Sequence, residues 1–226
     1  MIHSFSKAGS YHQSAGTKNQ DFVFSGSLGN FSVIALADGV SSCRMARNGA
    51  EIACMSFTEL MLKLGSKFFG NTDRFSAAKM ILAHIRGCLG RESGSPEISE
   101  YSSTIAGVLY DSEHSRILCF NLGDGMIAAL SETGCRVLMR PYEYPEGCCS
   151  TTTLNAHKAA GLEIFSTGSE NAVIIFSDGA WRQIYRDKRI SLLNGGLKFS
   201  ELDEYFAGSS CYDDCSYIAL TLKGGV

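Results

Sequence analysis

The chain has 226 residues, of which 45% are hydrophobic and 19% charged, an ordinary globular composition that excludes a collagen-like, mucin-like or disordered chain. Its formal charge of -3, from 20 basic and 23 acidic residues with no run of either sign, offers no footprint for nucleic acid or acidic lipid, so neither is expected as a partner. Three prolines against 24 glycines give many turns but no linker, and a single domain over residues 1–226 is expected.

The first residues, Met1 to Lys7, carry no basic stretch leading into an apolar core, and no later segment approaches the ~18 uncharged apolar residues of a membrane span. A soluble, cytoplasmic monomer is expected. The nine cysteines include the vicinal pair Cys148-Cys149 and the pair Cys211 and Cys215, but no CxxC, so reduced thiols are expected rather than disulfides or zinc.

In chain order, Phe31 to Ala37 (FSVIALA) reads as a buried strand that stops at Asp38-Gly39. Apolar positions from Asn48 to Leu64, and again from Phe75 to Leu89, follow helical spacing, which predicts two long amphipathic helices. Beyond a polar stretch from Gly90 to Tyr101, four short β-prone runs read as a hairpin meander: Thr104 to Tyr110, Arg116 to Asn121, Met126 to Leu130 and Cys135 to Met139. Pro141 to Thr153 reads as a surface loop or flap, mobile or unusually short. Ala172 to Phe176 is a second buried strand, ending at Asp178-Gly179 with a helix after it through Trp181, and Tyr217 to Leu222 is a strand entered from Asp213-Asp214. Antiparallel strands with long helices segregated beside them argue α+β layers.

Asp21 precedes a strand, Asp38 and Asp178 end strands before a glycine, and Asp213 lies just before the last strand. One Asp-Gly is most often a turn. Several strand-end aspartates without a histidine cluster, if they converge, make an oxygen-only site suited to Mg2+ or Mn2+. Two such ions held about 3.5–4 Å apart can activate a water for in-line attack on phosphorus. No GxSxG, Walker loop or HExxH motif competes with that reading.

The order and flanks of these aspartates resemble the metal-dependent serine/threonine phosphatases of the 2C type. The matching segments are Asn19-Gln20-Asp21, Ala37-Asp38-Gly39-Val40, Ser103-Thr104, Asn121-Leu122-Gly123-Asp124-Gly125, Phe176-Ser177-Asp178-Gly179-Ala180-Trp181 and Asp213-Asp214-Cys215-Ser216. Together they cover nearly the whole chain in family order, and Gly9-Ser10-Tyr11-His12 resembles a compact bacterial branch. The resemblance implies a four-layer αββα sandwich, two antiparallel sheets flanked by helices. It also implies a protein phosphatase acting on phosphoserine or phosphothreonine through a metal-activated water. Asp38 would bridge two Mn2+ or Mg2+ ions with the Gly39 carbonyl on one, Asp178 and Asp213 would hold the other, and Asp21 would act through bound water. Asp124 with Asp178 would support a third ion. Gln20 falls where many relatives carry glutamate, which weakens that metal site.

Many relatives place an arginine shortly before this aspartate, and none stands here between Tyr11 and Gln20. Lys18 on an extended segment would face away from Asp21. His12, catalytic if the loop folds back, is the expected replacement as phosphate anchor, although a lone histidine is more often a capping residue. Trp181 would line a substrate groove or anchor the core. The expected partner is a phosphorylated protein with its cognate kinase. Two rival readings remain: an inactive relative that binds phosphoproteins, and a phosphatase of small metabolites.

Overall fold

In the computed structural model, described for all residues except 71–72, 95–96, 143–148, 187–188, 191–197 and 223–226, the apolar run at Phe31–Ala37 forms strand β3. Its side chains divide between two cores: Val33, Ala35 and Ala37 face helices, while Ile34 and Leu36 face a second sheet. Burial on both faces is why the run is continuously apolar rather than alternating. Antiparallel pairing with β2 (Phe22–Leu28), β4 (Ile105–Asp111), β5 (Arg116–Leu122) and β8 (Gly161–Ser166) gives the order β2-β3-β4-β5-β8.

The second sheet has the order β1-β12-β9-β6-β7, built from β1 (Ile2–Lys7), β6 (Met126–Ser131), β7 (Gly134–Met139), β9 (Glu170–Phe176) and β12 (Cys215–Thr221). Ile34, Leu36 and Val108 of the first sheet pack against Ile127, Val173, Ile175 and Ile218 of the second. Helices α2 (Ala46–Phe69) and α3 (Arg74–Ser93) cover the outer face of the first sheet, with Phe57 stacked 5.8 Å from Phe120. Asp73 caps α3 by accepting the backbone N–H of Ser76. Short helix α5 (Asp178–Ile184) and α6 (Phe199–Gly208) cover the second sheet through Ala180, Ile184, Leu202 and Phe206. Each fully buried Ile, Leu or Phe side chain among them contributes ~1.5–3 kcal/mol relative to exposure. The short helix α4 (Ala156–Ala159) and a separate two-stranded pair, β10 (Tyr185–Arg186) with β11 (Arg189–Ile190), also belong to the four-layer α+β sandwich. No helix among the described residues is long and apolar enough to cross a membrane.

Three expectations need correction. The four central strands form no single meander, because β4–β5 and β6–β7 are hairpins of different sheets. Gly123, at φ +105, carries the chain from one sheet to the other where a hairpin turn was expected. The stretch before Asn19 is not extended throughout: Ser10–Ala15 is a helix, α1. The centre of the expected flap, 143–148, lies outside the described residues, whereas Cys149 to Thr151 is buried and Thr151 donates its N–H to Ser103. Strands β1 and β8 and helix α6 stand where the apolar spacing predicts no element.

Candidate active site

Asp38 follows the last residue of β3, and its place is set by a reciprocal pair of bonds with Thr104. The Asp38 N–H donates to Thr104 Oγ1 at 2.9 Å, and the Thr104 N–H returns to the Asp38 carbonyl at 2.8 Å. Asp178 opens α5 at the end of β9. The preceding Ser177 joins β9 to β12: its N–H donates to the Ser216 carbonyl and its Oγ accepts the Ser216 N–H, both at 2.9 Å. That pairing holds Asp178 beside the Asp213-Asp214 turn. Gly179 permits the approach, since a Cβ there would stand 2.1 Å from the Asp214 carbonyl oxygen.

Asp21 arrives from the opposite sheet on a segment pinned from several sides. Asn19 Oδ1 accepts the Asp21 N–H at 2.8 Å, and Arg47, in the first turn of α2, donates to the carbonyls of Asn19 and Asp21. Buried Asp214 accepts the N–H groups of Gly9 and Gln20, at 2.8 and 2.6 Å. On the far side, the 123–125 crossover is fixed by Asn121 Nδ2 donating to the Gly125 carbonyl, and by the Trp181 indole N–H donating to the Asp124 carbonyl at 2.7 Å.

These anchors bring Asp21, Asp124, Asp178 and Asp213 within electrostatic reach of Asp38. Burial, then the negative charges of Asp21, Asp178, Asp213 and Asp124, push the Asp38 carboxyl well above the ordinary carboxylate range. Burial, followed by Asp124 and Asp213, raises Asp178 to about 6, with Arg182 acting against the rise. Asp21 is pushed up to about 7, chiefly by burial. The hydroxyls of Ser216 and Ser177 pull part of that rise back. Neither completes a well-formed hydrogen bond, so both carboxylate oxygens of Asp21 are orphaned, as is Oδ1 of Asp178. Crowded, dehydrated carboxylates with unpartnered oxygens are what a hard cation relieves, so the donor set fits Mg2+ or Mn2+.

The remaining candidates are dispersed. Gly39 lies in the same turn as Asp38, bridged to Ser103. His12 on α1 is 2% exposed, and its Nδ1 stands 2.9 Å from Asp214 Oδ1, close enough for an ion pair but off the line of a hydrogen bond. Lys18 is exposed. The Gln20 amide oxygen is buried without a partner. The eight described cysteines are free, and burial raises the Cys149 thiol; Cys148 lies outside the described residues.

Two features elsewhere do not compete. Asp111, Glu113 and His114 place possible ligand atoms within 4.8 Å of one another. Burial raises the Asp111 carboxyl, but donors from His114, Arg116 and Asn30 outweigh it and bring it to about 2, the mark of a saturated turn anchor. The cavity of about 840 Å³ between β2 and α2, lined by Phe24, Gly26, Ile52, Met55 and Leu62, includes none of the aspartates.

Asp214 and Arg182 were missed by sequence reasoning. The signal for Asp214 was its adjacency to Asp213, since neighbours on an extended chain point to opposite sides. For Arg182 it was the four-residue spacing from Asp178, one helical turn.

The sequence model described as protein phosphatase 2C matches residues 8–207. No curated protein matches the chain. Its fold is similar to a mutant bacterial serine phosphatase, at 13% identity with a TM-score of 0.72 over 99% of this chain and 98% of the other. The serine/threonine phosphatase Stp1 from Staphylococcus aureus aligns at 13% identity and TM-score 0.67, over 99% and 95%. RsbX, in a complex with magnesium, aligns at 14% and 0.61, over 96% and 92%.

Proposed function

This chain belongs to the protein phosphatase 2C family, and we propose that it hydrolyses phosphoserine and phosphothreonine esters of proteins at the aspartate cluster with Mn2+ or Mg2+. The observation that carries the reading is the convergence of buried carboxylates from both sheets with orphaned oxygens on Asp21 and Asp178. Asp38, Asp178 and Asp213, with the Gly39 carbonyl, would hold two cations, Asp21 would act from the outer shell, and Asp124 with Asp178 would take a third. The cations supply Lewis acidity, which lowers the pKa of a water and offsets phosphoryl charge.

The chain's own residues supply order. Thr104 fixes the backbone at Asp38, and the Ser177–Ser216 pair fixes Asp178 against the Asp213 turn, so few degrees of freedom remain to be frozen on binding. Burial of Asp21 keeps bulk water from one wall of the site. His12, sealed behind Asp214, acts through that residue on the position of the Gln20-Asp21 segment. The magnesium bound by RsbX supports the choice of cation. A kinase acting on the same protein, and a cytoplasmic setting, belong to this proposal.

The test is hydrolysis of a phosphopeptide and of an aryl phosphate, with Mn2+, with Mg2+ and with chelator. Turnover should require a divalent cation and disappear with chelator. Full activity in chelator, or none under any metal, sinks the proposal, and preference for a metabolite phosphate over phosphopeptides would move the substrate class.

A further inference from the structure

We propose that Arg182 binds the phosphoryl group of the substrate, an inference that rests on the phosphatase reading above. A phosphomonoester carries nearly two negative charges at neutral pH. It must react where Asp21, Asp38, Asp124, Asp178 and Asp213 converge. Five carboxylates crowd that site, and a dianion approaching past them is favoured by a guanidinium beside the cations at the mouth of the site.

Arg182 is placed there. It follows Asp178 by one turn of α5, which puts both side chains on one face, and its Nε stands 3.2 Å from Asp178 Oδ2. The Arg182 side chain is 50% exposed and that of Asp178 14%, so the guanidinium lies on the solvent side of the carboxylate. Its central carbon sits 4.9 Å over the Trp181 ring, and that ring is tethered through its N–H to the Asp124 carbonyl. The stack restricts the rotamers of a long side chain and presents a planar fork, the geometry that matches two phosphoryl oxygens. The other cationic candidates are placed for different work. Arg47 donates to main-chain carbonyls, and His12 is 2% exposed behind Asp214.

The experiment uses the full chain at saturating Mn2+ and inorganic phosphate as the probe, comparing wild type with Arg182→Gln and Arg182→Lys. Phosphate affinity is measured by calorimetry and by competitive inhibition of aryl phosphate hydrolysis, and Mn2+ affinity on the same proteins. Arg182→Gln should weaken phosphate by about tenfold or more in both measurements and raise KM for a phosphopeptide by a similar factor, with kcat and Mn2+ affinity within about threefold. Arg182→Lys, which keeps the charge but loses the fork, should fall between the two. Phosphate affinity in Arg182→Gln equal to wild type overturns the inference, and a change confined to Mn2+ affinity would make Arg182 only a charge partner of Asp178. A wild-type protein that binds no phosphate and hydrolyses nothing overturns the phosphatase reading as well, which separates the two failures.

Discussion

The Nδ1 atom of His12 stands 2.9 Å from Oδ1 of Asp214, with 3% and 1% of the two side chains exposed. The same carboxylate accepts the N–H groups of Gly9 and Gln20, so one buried anion joins helix α1, the segment carrying Asp21 and the turn carrying Asp213. Asp214→Ala would leave two N–H donors without their acceptor and remove the buried carboxylate that stands against the His12 imidazole. The expected loss is roughly 3–5 kcal/mol of unfolding free energy. Denaturant unfolding checks it, and a loss below about 1 kcal/mol would show that the clasp contributes little beyond an ordinary hydrogen bond.

Asp38→Asn separates function from stability with opposite signs. Removing the charge of a carboxylate crowded by Asp21, Asp178, Asp213 and Asp124 should abolish cation retention and lower kcat by about a thousandfold or more, since metal neutralisation and water activation are lost together. In chelator the same substitution should raise the melting temperature, because one member of a repelling, dehydrated group is gone. A variant with wild-type turnover at saturating Mn2+ would remove Asp38 from the metal site.

Stability of the metal-free protein should fall as pH rises from about 4 to about 8. The carboxyls of Asp178 and Asp21 are raised by burial to about 6 and about 7, above the ordinary value of 3.8. The folded state therefore binds more protons than the unfolded chain in that window. Their contribution is fully present below the unfolded value and is lost as pH passes through 6 and 7. Asp111, held at about 2 against the ordinary 3.8, opposes the fall only at the acid edge of the window, where the unfolded chain still takes up a proton there, and adds no slope above about pH 5. Urea midpoints in chelator should drop between about pH 5 and pH 8, and saturating Mn2+ should remove most of the drop. A midpoint flat with pH in chelator would contradict the dehydrated cluster.

The strand-end aspartates and the layered α+β class were legible because each is written locally. Val33 to Ala37 is apolar without interruption, and an aspartate directly after it lies where the strand leaves the sheet. Helix α2 was legible from spacing alone, although it runs from Ala46 to Phe69 where the periodic positions marked only 48–64. Strand β1, with exposed and half-buried residues in alternation, carried no comparable apolar run.

By itself, the sequence determined which side chains could do chemistry and in what order along the chain: oxygen donors at strand ends, with no competing nucleophile motif. Tertiary structure alone decided that the strand pair ending at Leu122 and the one beginning at Met126 belong to different sheets, so that Asp124 crosses between them. It also decided that Asp214 faces inward to His12 while Asp213 joins the cluster, and that Arg182 is the guanidinium brought against Asp178. The physical reason is range. Periodicity and turn chemistry act over a few residues, whereas the burial that dehydrates Asp21 and the pairing of Ser177 with Ser216 join segments far apart in sequence, and no local pattern encodes them.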